Sequence, residues 1–450
     1  MMKKVLLFGA ALFSLAATAQ QSFSGVNTSQ FGGMYKGTVN PANFVDGITR
    51  FGFNVVSVDG SFGNNKMGLG FDLQKSFDKF TANIQGNNDI RANLGADILG
   101  PSAYFHVGRR NAFAVTTRAR VLGRIHDMDA KLVQSFLSSV SNLNENGGYQ
   151  LTIDKQSVTM NAFSEIAFTW SRLIAKDDHQ AFKAGITMKI VRGSASMHAG
   201  FTDINGTISG KLQEKNGDKY LDITVDGGEN AKFIVGNGGV DLSKNPSAGD
   251  LFKAQTTGVG FDLGFVYEYR QEGCPSCTFT PYDFKVGASF TDIGRLKYTA
   301  TDQSREYTLN QGTHQIKLSD IQQSITTGFV TETSLKGQTV RSSLPTAFRL
   351  NADVRLTGPL YVDVSTNINL TNSSKEYNAS YANSLVVTPR AEWKYFGVYL
   401  PISTTRDAGF NMGTALRLGP LFIGSRSIIG NLISKEAKEL NVFCGLQFEI

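Results

Sequence analysis

From Gly258 to Asp292 the chain alternates. Val259, Phe261, Leu263, Phe265, Tyr267 and Tyr269 are apolar or aromatic, while Gly260, Asp262, Gly264, Val266, Glu268 and Arg270 between them are mostly small or charged. After a turn the pattern resumes, with Phe284, Val286, Ala288 and Phe290 set against Lys285, Gly287, Ser289 and Thr291. A period of two sustained this long predicts strands with one apolar and one polar face. The polar face is rich in glycine and charge, which suits an enclosed interior. Strands of this length suit a membrane wall of tilted strands.

The same alternation recurs along the chain. A strand is predicted at 50–63, with Phe51, Phe53 and Val55 on one face and a slip near Val56 and Val58 that reads as a bulge. Residues 64–100 read as loop with a short helix. Hairpins follow at 102–108/112–122, 158–170/182–190 and across the opening stretch, then at 346–356/360–370, 386–395/398–404 and 412–418/421–426. In the first of these, Phe113, Val115, Ala119 and Val121 face out while Arg118 and Arg120 face in. The last strand, 439–450, carries Leu440, Val442, Cys444, Leu446, Phe448 and Ile450 on one face. In a soluble edge strand that face would be an aggregation hazard; in barrels an amphipathic final strand is what outer-membrane assembly machinery recognises.

These elements add up to an all-β protein, a 14-stranded antiparallel transmembrane β-barrel. Six shorter connections alternate with seven long ones, as in barrels with all tight turns on the periplasmic side. Trp170, Tyr267, Tyr269, Trp393 and Tyr395 stand where strands enter the shorter turns, as an interfacial girdle requires. The long loops are decorated. Residues 128–143 have helical spacing, and 206–226 read as an extra hairpin around Asn216-Gly217. These decorations are expected on the extracellular side or folded over the barrel mouth.

The ends assign a compartment. Lys3 and Lys4 precede an apolar run to Ala17, and Ala17-Thr18-Ala19 is a signal-peptide cleavage site, so residues 1–19 are expected to be removed on export to the outer membrane. Residues 20–49 form an N-terminal segment without strand periodicity, and the barrel occupies 50–450. No run of 18 apolar residues follows the signal, which excludes helical spanning. The formal charge of +6 falls to +4 without the two signal lysines, too diffuse for a nucleic-acid partner. Of three cysteines, Cys274 and Cys277 form a C-x-x-C that reads as a local disulfide clasping a turn. The alternatives are a zinc half-site lacking a second ligand pair and a redox motif lacking its βαβ context.

Catalytic chemistry is not indicated, and neither a metal site nor a cofactor is predicted. Of five histidines only His106 falls on an inward face within a strand, where a lone histidine reads as hydrogen-bonded filler. The inward charges are the candidate site: Arg118, Arg120, Asp262, Glu268, Arg349, Asp353 and Arg355, with further charges on neighbouring strands. They read either as a selectivity surface for anionic head groups, which arginine grips in bidentate fashion, or as a salt-bridged lattice bracing a filled barrel.

Three features resemble the FadL-type superfamily of outer-membrane barrels: Asn40-Pro41-Ala42 ahead of the first strand, Leu344-Pro345-Thr346 opening a mid-chain strand, and the count of 14. That superfamily includes long-chain fatty-acid transporters and the PorV-like barrels of the type nine secretion system. More closely, Gly37–Asn43, Phe290–Gly294 and Gly419–Ser425 resemble an uncharacterised family of Bacteroidota outer-membrane barrels. The resemblance implies that the segment around Asn40, Pro41 and Ala42 plugs the lumen. In the fatty-acid transporters such a plug, with a lateral wall opening, passes hydrophobic substrates into the bilayer. The expected partners are therefore outer-membrane lipid with a hydrophobic small molecule. A second class of function is also open, a non-transporting partner or structural component of an outer-membrane complex for secretion or surface assembly.

Overall fold

The computed structural model describes residues 22–45, 49–66, 68–69, 89–129, 149–208, 212–215, 218–225, 232–240, 254–271, 282–317, 330–372, 375, 377–434 and 437–450. Fourteen antiparallel strands form its wall. They are β1 (Phe51–Asn64), β2 (Ile90–Leu99 and Ser102–Val107), β3 (Asn111–Met128), β4 (Tyr149–Lys176), β5 (Gln180–Ile208), β6 (Thr256–Tyr269) and β7 (Phe284–Thr299). They continue with β8 (Thr339–Ser343 and Ala347–Thr357), β9 (Leu360–Asn369), β10 (Ser384–Glu392), β11 (Phe396–Tyr399 and Ile402–Thr405), β12 (Gly409–Met412 and Thr414–Leu418), β13 (Leu421–Ser425) and β14 (Glu439–Glu449). Each strand pairs with the next, and β14 returns to β1 through Phe53↔Phe448, so the sheet closes on itself. Closure removes the unpaired edge that a hydrocarbon environment would not tolerate.

Four wall strands are interrupted at residues that weaken a ladder. The gaps fall at Gly100-Pro101 in β2, Leu344-Pro345-Thr346 in β8, Leu400-Pro401 in β11 and Gly413 in β12. A proline has no N–H to give a neighbouring strand. Residues 90–99 are a strand rather than loop, because they extend β2 past its Gly-Pro break and pair with β1 and β3. The expected bulge in β1 lies between Asn54 and Val56, and it turns Val56 rather than Val55 outward. The connection from β11 to β12 is three residues long, 406–408, and so not one of the long loops. In the β4–β5 turn, Asp177 Oδ1 accepts from the backbone N–H groups of His179 (2.8 Å) and Gln180 (2.6 Å). Those donors hold its carboxyl below the usual range.

Burial runs inside out. Val259, Phe261, Leu263, Phe265 and Tyr269 of β6 are exposed, while Gly260, Asp262, Gly264 and Glu268 are buried. The same holds for Phe182, Ile186, Met188 and Ile190 against Lys183, Thr187 and Lys189 on β5. A continuous apolar band of this extent would aggregate in water and is at home in hydrocarbon. From Tyr269 to Val259 the band covers ten residue steps, which at ~3.3 Å each and a tilt of ~40° is roughly 25 Å in height. Trp170, Tyr269, Trp393 and Tyr395 are exposed at its lower rim, beside the tight turns. Strands β4 and β5, 28 and 29 residues long, run far beyond the upper rim. There they join strands 218–225, 232–239, 305–309, 312–317 and 330–334 in a projecting sheet. The expected hairpin in this region is present as Leu212–Lys215 and Asp218–Val225. Residues 1–21, the helical spacing of 130–143, Cys274 and Cys277 lie outside the described residues.

Leu263 is 39% exposed near the centre of this band. Leu263→Arg is therefore expected to destabilise the folded barrel by roughly 2–4 kcal/mol, measured by urea titration in lipid vesicles. A neutral result would place the residue off the lipid face.

Candidate functional site

A 14-stranded barrel is too wide for its own wall side chains to fill. Among the described residues, two stretches of chain pack against the inward-facing side chains of the wall. The first is residues 22–45, a run of turns leading to a short helix (Gly33–Val39) and a 3-10 turn (Pro41–Val45). Tyr35 stacks on Phe23 with ring centroids 4.2 Å apart and meets Phe422 of β13 edge-on at 5.2 Å. Phe44 packs on Tyr104 of β2 at 5.5 Å. With Val26, Met34, Phe443 and Tyr399 these form an apolar core inside the barrel.

Polar groups fix the segment to the wall. Asn40 Nδ2 donates to the carbonyls of Phe265 (3.0 Å) and Ala288 (3.3 Å), one on β6 and one on β7. Its Oδ1 accepts from the Ala42 N–H at 3.0 Å, so one side chain both shapes the turn and anchors it. Ser289 Oγ donates to the Val39 carbonyl at 2.6 Å, and Ser171 Oγ donates to that of Pro41. His106 Nε2 lies 2.8 Å from the Phe44 carbonyl, the filler role read from the sequence. The inward glycines explain themselves here. A Cβ at Gly185 would overlap the backbone of Pro41 and Ala42, and one at Gly264 would overlap Asn40.

The second stretch is residues 377–382, which follow β9 and enter from the opposite end. Tyr377, Ala379 and Tyr381 pack with Leu122, Phe163, Tyr298 and Leu344 in a separate apolar core. Ser342 Oγ donates to the Tyr377 carbonyl at 2.7 Å, and Arg124 reaches Ser380 and the Tyr381 carbonyl, both at 3.1 Å.

Between the two stretches lies a charged layer. Arg120 grips Asp292 with both terminal nitrogens, at 2.8 and 2.7 Å, and reaches Glu165 at 2.6 Å and the Tyr381 hydroxyl at 2.7 Å. Lys189 Nζ sits 2.7 Å from Asp292 and 2.8 Å from Asp262. The Asp292 N–H donates to Asp262 at 2.7 Å. Arg118 makes a paired contact with Asp97, which also accepts from Ser22. Asp292 holds a left-handed backbone (φ 58°) beside a register shift between β6 and β7. That bulge carries the carboxylate inward at a position where strict alternation would send a side chain out.

The remaining predicted residues occupy other parts of the interior. Glu268 lies 2.5 Å from both Lys183 and Arg270. Asp353 is fully buried against Arg390, which also lies 3.1 Å from Glu392. Arg349 is buried with its guanidinium 5.6 Å from the Tyr381 ring. Arg355 departs from the inward set: it is half-exposed at the lower rim, bonded to the Gly358 carbonyl at 3.1 Å, because the tight β8–β9 turn lifts it out of the lumen. Asp292 and Glu165 complete the central cluster and were not in the predicted set. Glu165 carried a signal, since Ile166, Phe168 and Trp170 point out; Asp292 carried none, because a bulge breaks the period. Among the described residues no group of three or more acidic, histidine or cysteine side chains is arranged to hold a metal ion.

Residues 34–425 match the family described as "Family of unknown function (DUF5723)". No curated protein matches the chain. Among solved structures, the deltaS2S3 mutant of the TodX monoaromatic hydrocarbon channel is 10% identical, with a TM-score of 0.41 over 97% of this chain and 96% of that one. A Pseudomonas aeruginosa FadL homologue is 9% identical, with a TM-score of 0.40 over 95% and 98%. The translocator domain of autotransporter NalP from Neisseria meningitidis is 7% identical, with a TM-score of 0.32 over 89% of each chain. At these values the likenesses carry no functional argument; the barrel rests on its own register and burial.

Proposed function

For a chain that belongs to the DUF5723 family, we propose an outer-membrane barrel closed at rest by residues 22–45, which admits small hydrophobic or amphipathic molecules when that segment shifts. One observation supports the reading most. Residues 22–45 pack against inward-facing side chains of the wall without joining its ladder, and a segment held by hydrogen bonds can move while the wall stays paired. The buried ion pairs run from strand to strand, while the segment is held by hydrogen bonds, through Ser22, Phe23, Ser29, Met34, Tyr35 and Asn40 and from Ser171 and Ser289, and by the aromatic core.

The expected result in planar bilayers is negligible ion conductance for the intact protein and steady conductance when residues 22–45 are deleted. Uptake of a hydrophobic dye into vesicles should rise in parallel with Asn40→Ala. A deletion variant as closed as the intact protein would overturn the reading. A second reading, a non-transporting partner in an outer-membrane complex, is favoured by the projecting sheet above the upper rim. Unchanged dye uptake in every variant, together with a stoichiometric partner retained in mild detergent, would support it instead.

A further inference from the structure

Outside the barrel, at the upper rim over β5 to β8, the apolar band ends in a patch of cations. On β5, Arg192 follows Ile190 by two residues; on β7, Arg295 follows Ile293 by two and Lys297 follows by four. All three cations and both isoleucines are exposed and outward. On β8, Arg341 is exposed and sits directly opposite Lys297 in the ladder. Like charges facing each other across a strand pair destabilise it unless something neutralises them. Lys375, from the segment after β9, joins Arg295 in lining a cleft of about 450 Å³. Ile293 and Leu370 supply apolar surface to the same cleft, over the break in β8. None of these five cations makes an ion pair with a described residue, although ion pairs are dense inside the barrel.

We propose that this face holds the phosphate groups of a membrane lipid in the leaflet at the long-loop end. Acyl chains lying on Val259, Ile190, Ile293 and Leu370 would bring the headgroup to the height of the cations. A free anion would have no use for the apolar part of the cleft, which is why a lipid is the occupant argued for. The inference is independent of what the lumen transports.

The test uses the full chain in nanodiscs of phosphatidylcholine doped with diphosphoryl lipid A. Co-purified lipid A is counted by native mass spectrometry after gentle release. Each Lys or Arg near a membrane surface strengthens anionic-lipid binding about fivefold, so R295Q/K375Q and K297Q/R341Q should each retain roughly 25-fold less. Lys176→Gln, an exposed cation at the opposite rim, should retain as much as the parent chain. Lipid A stripped of phosphate should bind the parent no better than the intact lipid binds the double variants. Heat-modifiable gel mobility confirms that each variant is folded. Equal retention by the double variants, or equal retention of dephosphorylated lipid, would overturn the proposal. Displacement of lipid A by millimolar inorganic phosphate would overturn the choice of a lipid over a free anion.

Discussion

Asp292→Ala is expected to destabilise the barrel by about 3–5 kcal/mol, read as a lowered urea midpoint for unfolding from lipid vesicles. The argument is one of compensation. Asp292 neutralises Arg120 and Lys189 at 2.7 Å from each, inside the barrel and away from water. Removing one partner of a buried ion pair strands the other, and the penalty comes from the uncompensated charge rather than from the lost contact. Glu165 and Asp262 still face the two cations, which limits the loss to this range. Adding Arg120→Met to Asp292→Ala should recover part of the stability, because the stranded charge is then gone. A loss below about 1 kcal/mol, or a double variant worse than the sum of the singles, would mean that water reaches this layer.

Gly185→Val should act on the segment and not on the wall. Its side chain would occupy the space of the Pro41 and Ala42 backbone. Strand β5 is paired on both sides, to β4 and to β6, so the wall cannot recede. The segment has to yield. We expect overpacking to cost about 1–3 kcal/mol, and amide exchange in residues 34–45 to accelerate while exchange in β5 stays protected. Gly264→Val, which meets Asn40, should act the same way. Protection lost equally from segment and wall would show that the two are one cooperative unit.

Much of this architecture was readable from residues alone, because a membrane wall enforces period-two alternation more strictly than a soluble core does. Phe113, Val115, Arg118 and Arg120 stand as their alternation predicted. Residues 90–99 do not announce a strand, because their outward positions include Ala96, too small to mark a face, and the Gly100-Pro101 break hides their continuity with Ser102. The lengths of β4 and β5 escaped for a related reason. Above the bilayer neither face must be apolar, so the alternation fades at residues such as Thr202 and Asn205 while the pairing continues. The interior was legible as charged, but not as a network. Which carboxylate meets which cation depends on shear and on the Asp292 bulge, and neither is encoded in any single strand. Tyr381 illustrates the limit: it reaches Arg120 from a segment remote in sequence that has no periodicity at all.

The most direct test places a spin label at each position from Val259 to Glu268 in turn, in lipid vesicles, and compares access by oxygen with access by a water-soluble nickel chelate. Oxygen access should be high at 259, 261, 263 and 265 and low at 260, 262, 264 and 266, with the nickel chelate excluded from both sets. High nickel access at 260, 262 and 264 would mean a water-filled lumen, and oxygen access without the period of two would mean that β6 does not face hydrocarbon.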